Sequence, residues 1–294
     1  MNDIGICAGV YGATGYAGRE LIGLLARHPS VRIAFATSES EAGTSLRRAS
    51  AAAPDLPLVR AEDAVLTGCD VVFSCLPHGE SLRWVARARA EGVRAVDLSA
   101  DLRVPGVTTP SWGREAVYGL PELHRAGICD AGVIANPGCY PTAAILALAP
   151  LLRRGMVAGP VMISAASGVT GAGRSPKREL LFAEVAEDFR AYAVGNTHRH
   201  LAEMRDQVRA LGNGASPELV FTPHLLPVQR GILETIHVPL RTRLDIVEPW
   251  TLWMNDYADE PFVAVFRDRM PTLRDVVGTN RVAIGVTAVA GVSA

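Results

Sequence analysis

The chain runs to 294 residues with 29 Lys plus Arg against 30 Asp plus Glu, long enough for two cores and without a long block of one charge sign. That balance argues against a nucleic-acid arm and a membrane-binding face, and it leaves a small soluble molecule as the expected partner. The start, Met1-Asn2-Asp3, lacks a secretory signal pattern, and the apolar run from Ile4 to Val10 is too short to span a bilayer, so a cytoplasmic location is expected.

In the first half, short apolar runs alternate with helix-like segments. Strands are expected at Ile4 to Val10, Val31 to Ala36, Asp70 to Cys75 and Ala95 to Leu98, with helices from about Ala17 to Ala26 and Glu80 to Glu91. The alternation predicts a doubly wound parallel sheet of the Rossmann type. The Ala-rich patch at Ala49 to Ala53 reads as a loop or a frayed helix end. From Thr142 the texture changes. A helix to Leu152, a strand at Val161 to Ala165 and a helical stretch from about Lys177 to Phe189 come first. Strands at Leu219 to Thr222, Gly231 to Leu240, Phe262 to Phe266 and Val282 to Val289 follow. This half predicts an α+β domain with a mixed or antiparallel sheet. The expected division is residues 1–138 for a dinucleotide-binding domain and 139–294 for a catalytic and oligomer-forming domain.

Between the first strand and its helix lies Gly9-Val10-Tyr11-Gly12-Ala13-Thr14-Gly15-Tyr16-Ala17-Gly18. Glycines let a backbone turn sharply beneath a pyrophosphate, and the free N–H groups of a helix start favour the anion. Glycines also serve turns that bind nothing, but strand, turn and helix stand here in the order a dinucleotide needs. The second strand ends in Thr37-Ser38, with no carboxylate before Glu39. Hydroxyls there suit a ribose 2′-phosphate better than a bare diol, which points to NADP. The candidate cofactor contacts are Gly12, Ala13, Thr14, Gly15, Tyr16 and Ala17 in the turn, with Ser38, Pro77 and Gly168.

Five cysteines without CxxC spacing indicate neither a disulfide framework nor a metal site. Cys7 and Cys75 sit in or beside strands and read as small core residues, and Cys69 and Cys129 carry no motif. Cys139 differs. In Ala135-Asn136-Pro137-Gly138-Cys139-Tyr140-Pro141-Thr142 it stands between a turn and a helix start, where the helix dipole favours a thiolate and readies the sulfur for attack. An acid/base partner is offered by His198 and His200 in Asn196-Thr197-His198-Arg199-His200; no third ligand is in register, so proton transfer is the better reading than metal binding. Arg103 after Ser99-Ala100-Asp101-Leu102 and Arg174 after a glycine-rich stretch are candidate cations for an acyl phosphate, and Glu203 joins them as a candidate substrate contact.

Taken together, these stretches resemble the N-acetyl-γ-glutamyl-phosphate reductases of arginine biosynthesis, relatives of aspartate-semialdehyde dehydrogenase. The stretches are GATGYAG at 12–18, SADLR at 99–103, YGLPE at 118–122, ANPGCYPTA at 135–143, SGVTGAGR at 167–174, HRHLAEM at 198–204 and TPHLLPVQRGI at 222–232. The resemblance implies an NADPH-dependent reductase in which Cys139 displaces phosphate to form a thioester, the HRH pair supplies acid/base catalysis and Arg103 helps bind substrate. It also implies a homodimer or homotetramer built through the sheet of the second domain. Members of that family have a longer connection where this chain has Val104 to Ala116. They continue past the last strand into a DNLVKGAAGQ-like stretch that helps hold the nicotinamide, and this sequence ends at Ala294, so the expectation is either a truncated version or a looser grip on the cofactor. Two rivals stand beside this reading: the same chemistry on a carrier-linked α-aminoadipate phosphate or aspartyl phosphate, and a cofactor-binding or oligomer-forming protein without turnover.

Overall fold

The computed structural model describes residues 5–105, 116–214, 216–242 and 248–289, so most of the connection from Val104 to Ala116 lies outside the described residues, as does the end of the chain from 290. Two compact units divide the chain, Met1–Pro137 and Gly138–Ala294.

The first unit contains β1 (Ile6–Tyr11), α1 (Tyr16–Leu25), β2 (Val31–Ala36), β3 (Val71–Ser74), α2 (Leu82–Ala90), β4 (Arg94–Asp97), β5 (Val117–Tyr118), α3 (Pro121–Asp130) and β6 (Val133–Ala135). Six strands form one parallel sheet in the order β2-β1-β3-β4-β6-β5. β1 is buried along nearly its whole length, which is why it reads as a continuous apolar run and not as an alternating one. Ala8, Val10, Ile22, Leu25, Ile33, Leu46 and Leu58 make one core cluster, and Tyr11, Phe35, Val72, Val85, Ala88, Val93 and Val133 make another. One residue of slip between β1 and β2 shifts the pairing from Ala8 with Ile33 to Gly9 with Phe35, and Phe35 thereby joins the second cluster. Its ring then lies 2.3 Å from where a Cβ on Gly9 would stand, so only glycine fits beneath it.

The second unit contains α4 (Cys139–Arg153), β7 (Val161–Gly168), α5 (Phe182–Val185), β8 (Arg190–Ala191), α6 (His200–Leu211), β9 (Leu219–Leu226), β10 (Ile232–His237), α7 (Thr251–Asp256), β11 (Val263–Phe266) and β12 (Val282–Gly285). Its main sheet runs β10-β7-β9-β8 and is mixed: β7 and β9 are parallel, and the two edge strands are antiparallel to their neighbours. Ile145, Leu148, Leu152, Leu201, Met204 and Val208 from the two long helices are buried, as are Val161, Ile163, Ala165 and Phe221 from the strands. The alternate positions Met162, Val220 and Leu233 are exposed.

The helix expected from Lys177 to Phe189 is not continuous. It breaks into a 3₁₀ turn at Arg178–Leu180 and the four-residue α5, and Glu187 has a positive φ of 60°. Leu180, Leu181 and Phe182 are consecutive, so one helical stripe cannot bury all three, and Phe182 is exposed. Among the described residues no helix is long and apolar enough to cross a membrane.

Glu234 is an exception on β10. Both carboxylate oxygens are buried without a hydrogen-bond partner among the described residues, and burial pushes the pKa well above the usual carboxylate range. Between the unfolded value near about 4.3 and that raised value, the folded chain holds a proton that the unfolded chain has released, so stability falls as pH rises through this window. Glu234→Gln removes the titration. Thermal melts should show the variant gaining on the parent by about 3 °C or more between pH 5 and pH 8; a constant difference across that range would sink the assignment.

Candidate active site

In the first unit the glycine turn has the shape that a pyrophosphate requires. Gly12 has φ +75°, and a Cβ on Gly18 would lie 2.2 Å from the Gly12 carbonyl oxygen, so helix and turn approach as only glycine permits. Gly15 caps α1 without a side-chain hydrogen bond, and no acidic residue stands in the first turn, so no carboxylate competes there with an anion. Ala13 N–H donates to the Thr37 carbonyl and Gly12 N–H to Thr37 Oγ1, tying the turn to the end of β2. Ser38 Oγ is 2.9 Å from Thr14 Oγ1 and accepts from Glu41 N–H. Both nearby carboxylates are engaged: Glu39 Oε1 accepts from Ala61 N–H, and Glu41 pairs with Arg19 and Arg48. Pro77 lies just after β3, and the Cys75 carbonyl and Leu76 side chain, between that strand and Pro77, line the back of Gly12. Gly18→Ala should therefore weaken NADPH binding by more than tenfold in a fluorescence titration, as the added methyl pushes the turn off α1.

Arg103 is buried and turned toward backbone: Nε donates to the Asn136 carbonyl at 2.8 Å and Nη2 to the Leu98 carbonyl at 2.8 Å. It fixes the segment three residues ahead of Cys139 in the sequence.

In the second unit Cys139 is the first residue of α4 and is exposed. The helix starts three residues before the expected Thr142, because Gly138 takes the extended cap conformation. The Gly138 peptide is held at both ends. Its N–H donates to Glu203 Oε1 at 2.7 Å, and its carbonyl accepts from the N–H and hydroxyl of Thr142 at 3.0 and 2.9 Å. Glu203, expected as a substrate contact, is thus a buried anchor for the cysteine turn, reaching it from α6.

Behind the sulfur lies a ring cluster. Tyr140 and Tyr192 hydroxyls are 2.9 Å apart, and a charge on Cys139 is felt by both phenols. Burial, followed by the bond to Tyr192, raises the Tyr140 pKa; burial also raises that of Tyr192, so both stay protonated at neutral pH. The His198 ring packs edge-on against Tyr140, Tyr192, His200 and Phe221, with centroids 4.9 to 5.7 Å away. Burial, and secondarily the Arg199 charge, hold its pKa below the usual histidine value. His198 Nδ1 accepts from the His200 N–H at 3.2 Å, so the neutral ring carries its proton on Nε2. His200 is buried at the start of α6.

Sequence reading missed Asn196. With φ +61° it donates from Nδ2 to the Leu219 carbonyl and accepts at Oδ1 from Phe221 N–H, clipping the histidine segment to β9. The signal was present, since asparagine before a polar turn is the residue that tolerates this conformation. Gly168 has a steric reason of its own: a Cβ there would stand 2.7 Å from the Arg230 nitrogen and 2.8 Å from the Gln229 oxygen. Arg174 is exposed on the loop after β7.

Residues 7–131 match the semialdehyde dehydrogenase NAD binding domain, and residues 139–292 match the semialdehyde dehydrogenase dimerisation domain. N-acetyl-gamma-glutamyl-phosphate reductase of Halorhodospira halophila is 43% identical, over 95% of this chain and 84% of its own. The protein of the same name from Symbiobacterium thermophilum is 41% identical, over 96% and 85%. Among solved structures, aspartate semialdehyde dehydrogenase II of Vibrio cholerae complexed with ASA aligns with a TM-score of 0.73 at 18% identity, covering 95% of this chain and 87% of that one. Aspartate semialdehyde dehydrogenase with NADP from Candida albicans gives 0.69 at 16%, covering 92% and 85%. At these identities the structural matches establish the fold.

Proposed function

The chain belongs to the semialdehyde dehydrogenase family, among the N-acetyl-γ-glutamyl-phosphate reductases, and from that premise we propose that it reduces N-acetyl-γ-glutamyl phosphate to the semialdehyde with NADPH, as a step of arginine biosynthesis. The observation that carries the chemistry is Cys139 at the first position of α4, in a turn anchored by Glu203 and backed by Tyr140, Tyr192 and His198. The backbone from Gly12 to Ala17, with Ser38 and Pro77, would hold NADPH. The engaged Glu39 and Glu41 beside a Thr14–Ser38 hydroxyl pair support NADP over NAD. When bound, that cofactor supplies a hydride.

Cys139 sulfur attacks the γ-acyl carbon, the bond to the phosphate oxygen breaks, and phosphate leaves with both electrons of that bond, giving a thioester. His198, donating from Nε2, would stabilise negative charge on the thioester oxygen during reduction, and the Cys139 thiolate would leave as the aldehyde carbonyl re-forms. Tyr140 and Tyr192 keep a neutral donor pair beside the sulfur. His200 orients His198 through its backbone N–H, Glu203 and Arg103 hold the turn, and Arg174 meets the anionic substrate. The exposed Met162, Val220 and Leu233 suit burial against a second copy in a homodimer or homotetramer.

Phosphate-dependent NADP reduction, assayed separately with N-acetylglutamate semialdehyde and aspartate semialdehyde, tests the substrate. Activity with the acetylated compound is expected at least about a hundredfold above the other; activity confined to aspartate semialdehyde would overturn the reading.

A further inference from the structure

Beside the Thr14–Ser38 hydroxyl pair stand three charged side chains to which the reaction gives no role. Arg19, in the first turn of α1, and Arg48, at the end of a 3₁₀ turn over Leu46–Arg48, both reach Glu41. Arg19 Nη2 lies 3.8 Å from Oε1 and Arg48 Nε lies 3.6 Å from Oε2, so each carboxylate oxygen takes one guanidinium. Neither separation is short enough for a hydrogen bond. Arg19 Nε is buried and has no hydrogen-bond partner among the described residues, although a buried N–H in a folded chain ordinarily finds an acceptor.

The backbone holds this group in place. Glu41 N–H donates to Ser38 Oγ at 3.2 Å, and the Glu41 carbonyl accepts from the N–H and hydroxyl of Thr44 at 3.1 and 2.8 Å. Leu46 is fully buried and pins the turn that carries Arg48. Arg19 N–H donates to the Gly15 carbonyl at 2.9 Å, which fixes that arginine to the glycine turn. Both cations therefore stand on ordered backbone near the end of β2, where sheets of this kind meet the 2′ position of the adenosine ribose.

We propose that Arg19 and Arg48 clamp the 2′-phosphate of NADPH, and that Glu41 fills the clamp until the cofactor displaces it. This rests on the reading of NADPH as the cofactor and adds which cations select it. The charges favour the exchange. A carboxylate sets one negative charge against two guanidinium cations, whereas a phosphate monoester brings nearly two at neutral pH, with three strong acceptor oxygens that can serve the buried Nε and a second guanidinium together. Releasing Glu41 costs little, because long ion pairs to partly exposed arginines contribute weakly. A bare 2′-hydroxyl carries no charge and cannot displace Glu41, so NADH leaves both ion pairs closed.

Binding, not turnover, tests the clamp. The full chain is titrated with NADPH and NADH by cofactor fluorescence, and with adenosine 2′,5′-bisphosphate and 5′-AMP by calorimetry. Arg19→Gln and Arg48→Gln should each raise the Kd for NADPH and the bisphosphate about tenfold, with NADH and 5′-AMP within about twofold of the parent. Glu41→Gln, which frees both arginines, should lower the NADPH Kd by about threefold or more and leave NADH unchanged. A parent that prefers NADPH and keeps the preference in both arginine variants would overturn the clamp and spare the cofactor reading. Equal losses for NADPH and NADH would also overturn it, as damage to the turn, and weaker NADPH binding in Glu41→Gln would remove the stand-in role. A parent with no preference would sink the clamp and the cofactor reading together.

Discussion

Cys139→Ser is expected to lower turnover in either direction by on the order of 10⁴-fold or more, with NADPH binding and thermal stability nearly unchanged. The size follows from the chemistry. A serine hydroxyl ionises far above neutral pH, and neither Tyr140 nor Tyr192, both held protonated by burial, can take its proton. An oxygen ester is also a poorer hydride acceptor than a thioester. Stability should move little because the side chain is exposed and the turn is held by backbone hydrogen bonds and Glu203. Single-turnover assays with acyl phosphate check the claim directly: the parent releases phosphate in a burst before NADPH is consumed, and the variant shows none. Activity within tenfold of the parent would remove Cys139 from the mechanism.

The parts of this chain legible in its sequence are those whose cause is local. The turn from Gly12 to Gly18 is a contiguous steric requirement, and β2 occupies the expected residues from Val31 to Ala36 because its apolar run and its flanking turns are contiguous too. β5 and β6, of two and three residues, owe their existence to pairing with each other and with β4, and periodicity needs a longer window to register. α4 begins three residues before the expected Thr142 and includes Pro141, which is tolerated within a first turn, where its missing N–H has no intrahelical partner. At the candidate site, residue types were readable and jobs were not. Glu203 carries the same carboxylate whether it meets a ligand or Gly138, and only the folded chain closes the 65 residues between them. Tyr192 stands in no recognisable motif, and it acquires meaning only when its hydroxyl meets that of Tyr140.

His198→Asn should reduce kcat by about 10²- to 10⁴-fold, with KM changed far less, because the imidazole contributes at the oxyanion step and not to binding. The pH profile discriminates this from a structural loss. In the parent, burial first and the Arg199 charge second hold the imidazole neutral through physiological pH. Protonation requires a second ring hydrogen at Nδ1, which displaces the His200 N–H that now donates there, so the turn before α6 is disturbed as the ring becomes charged. Activity should therefore fall on the acid side only below the usual histidine value. Arg199→Gln removes the smaller of the two causes, and the acid limb should move upward: rate at pH 6 drops against the parent, and rate at pH 8 stays close to it. His198→Asn should show no such limb at all. An acid limb that ignores both substitutions would assign the titration to another group and leave His198 as packing for the phenol pair.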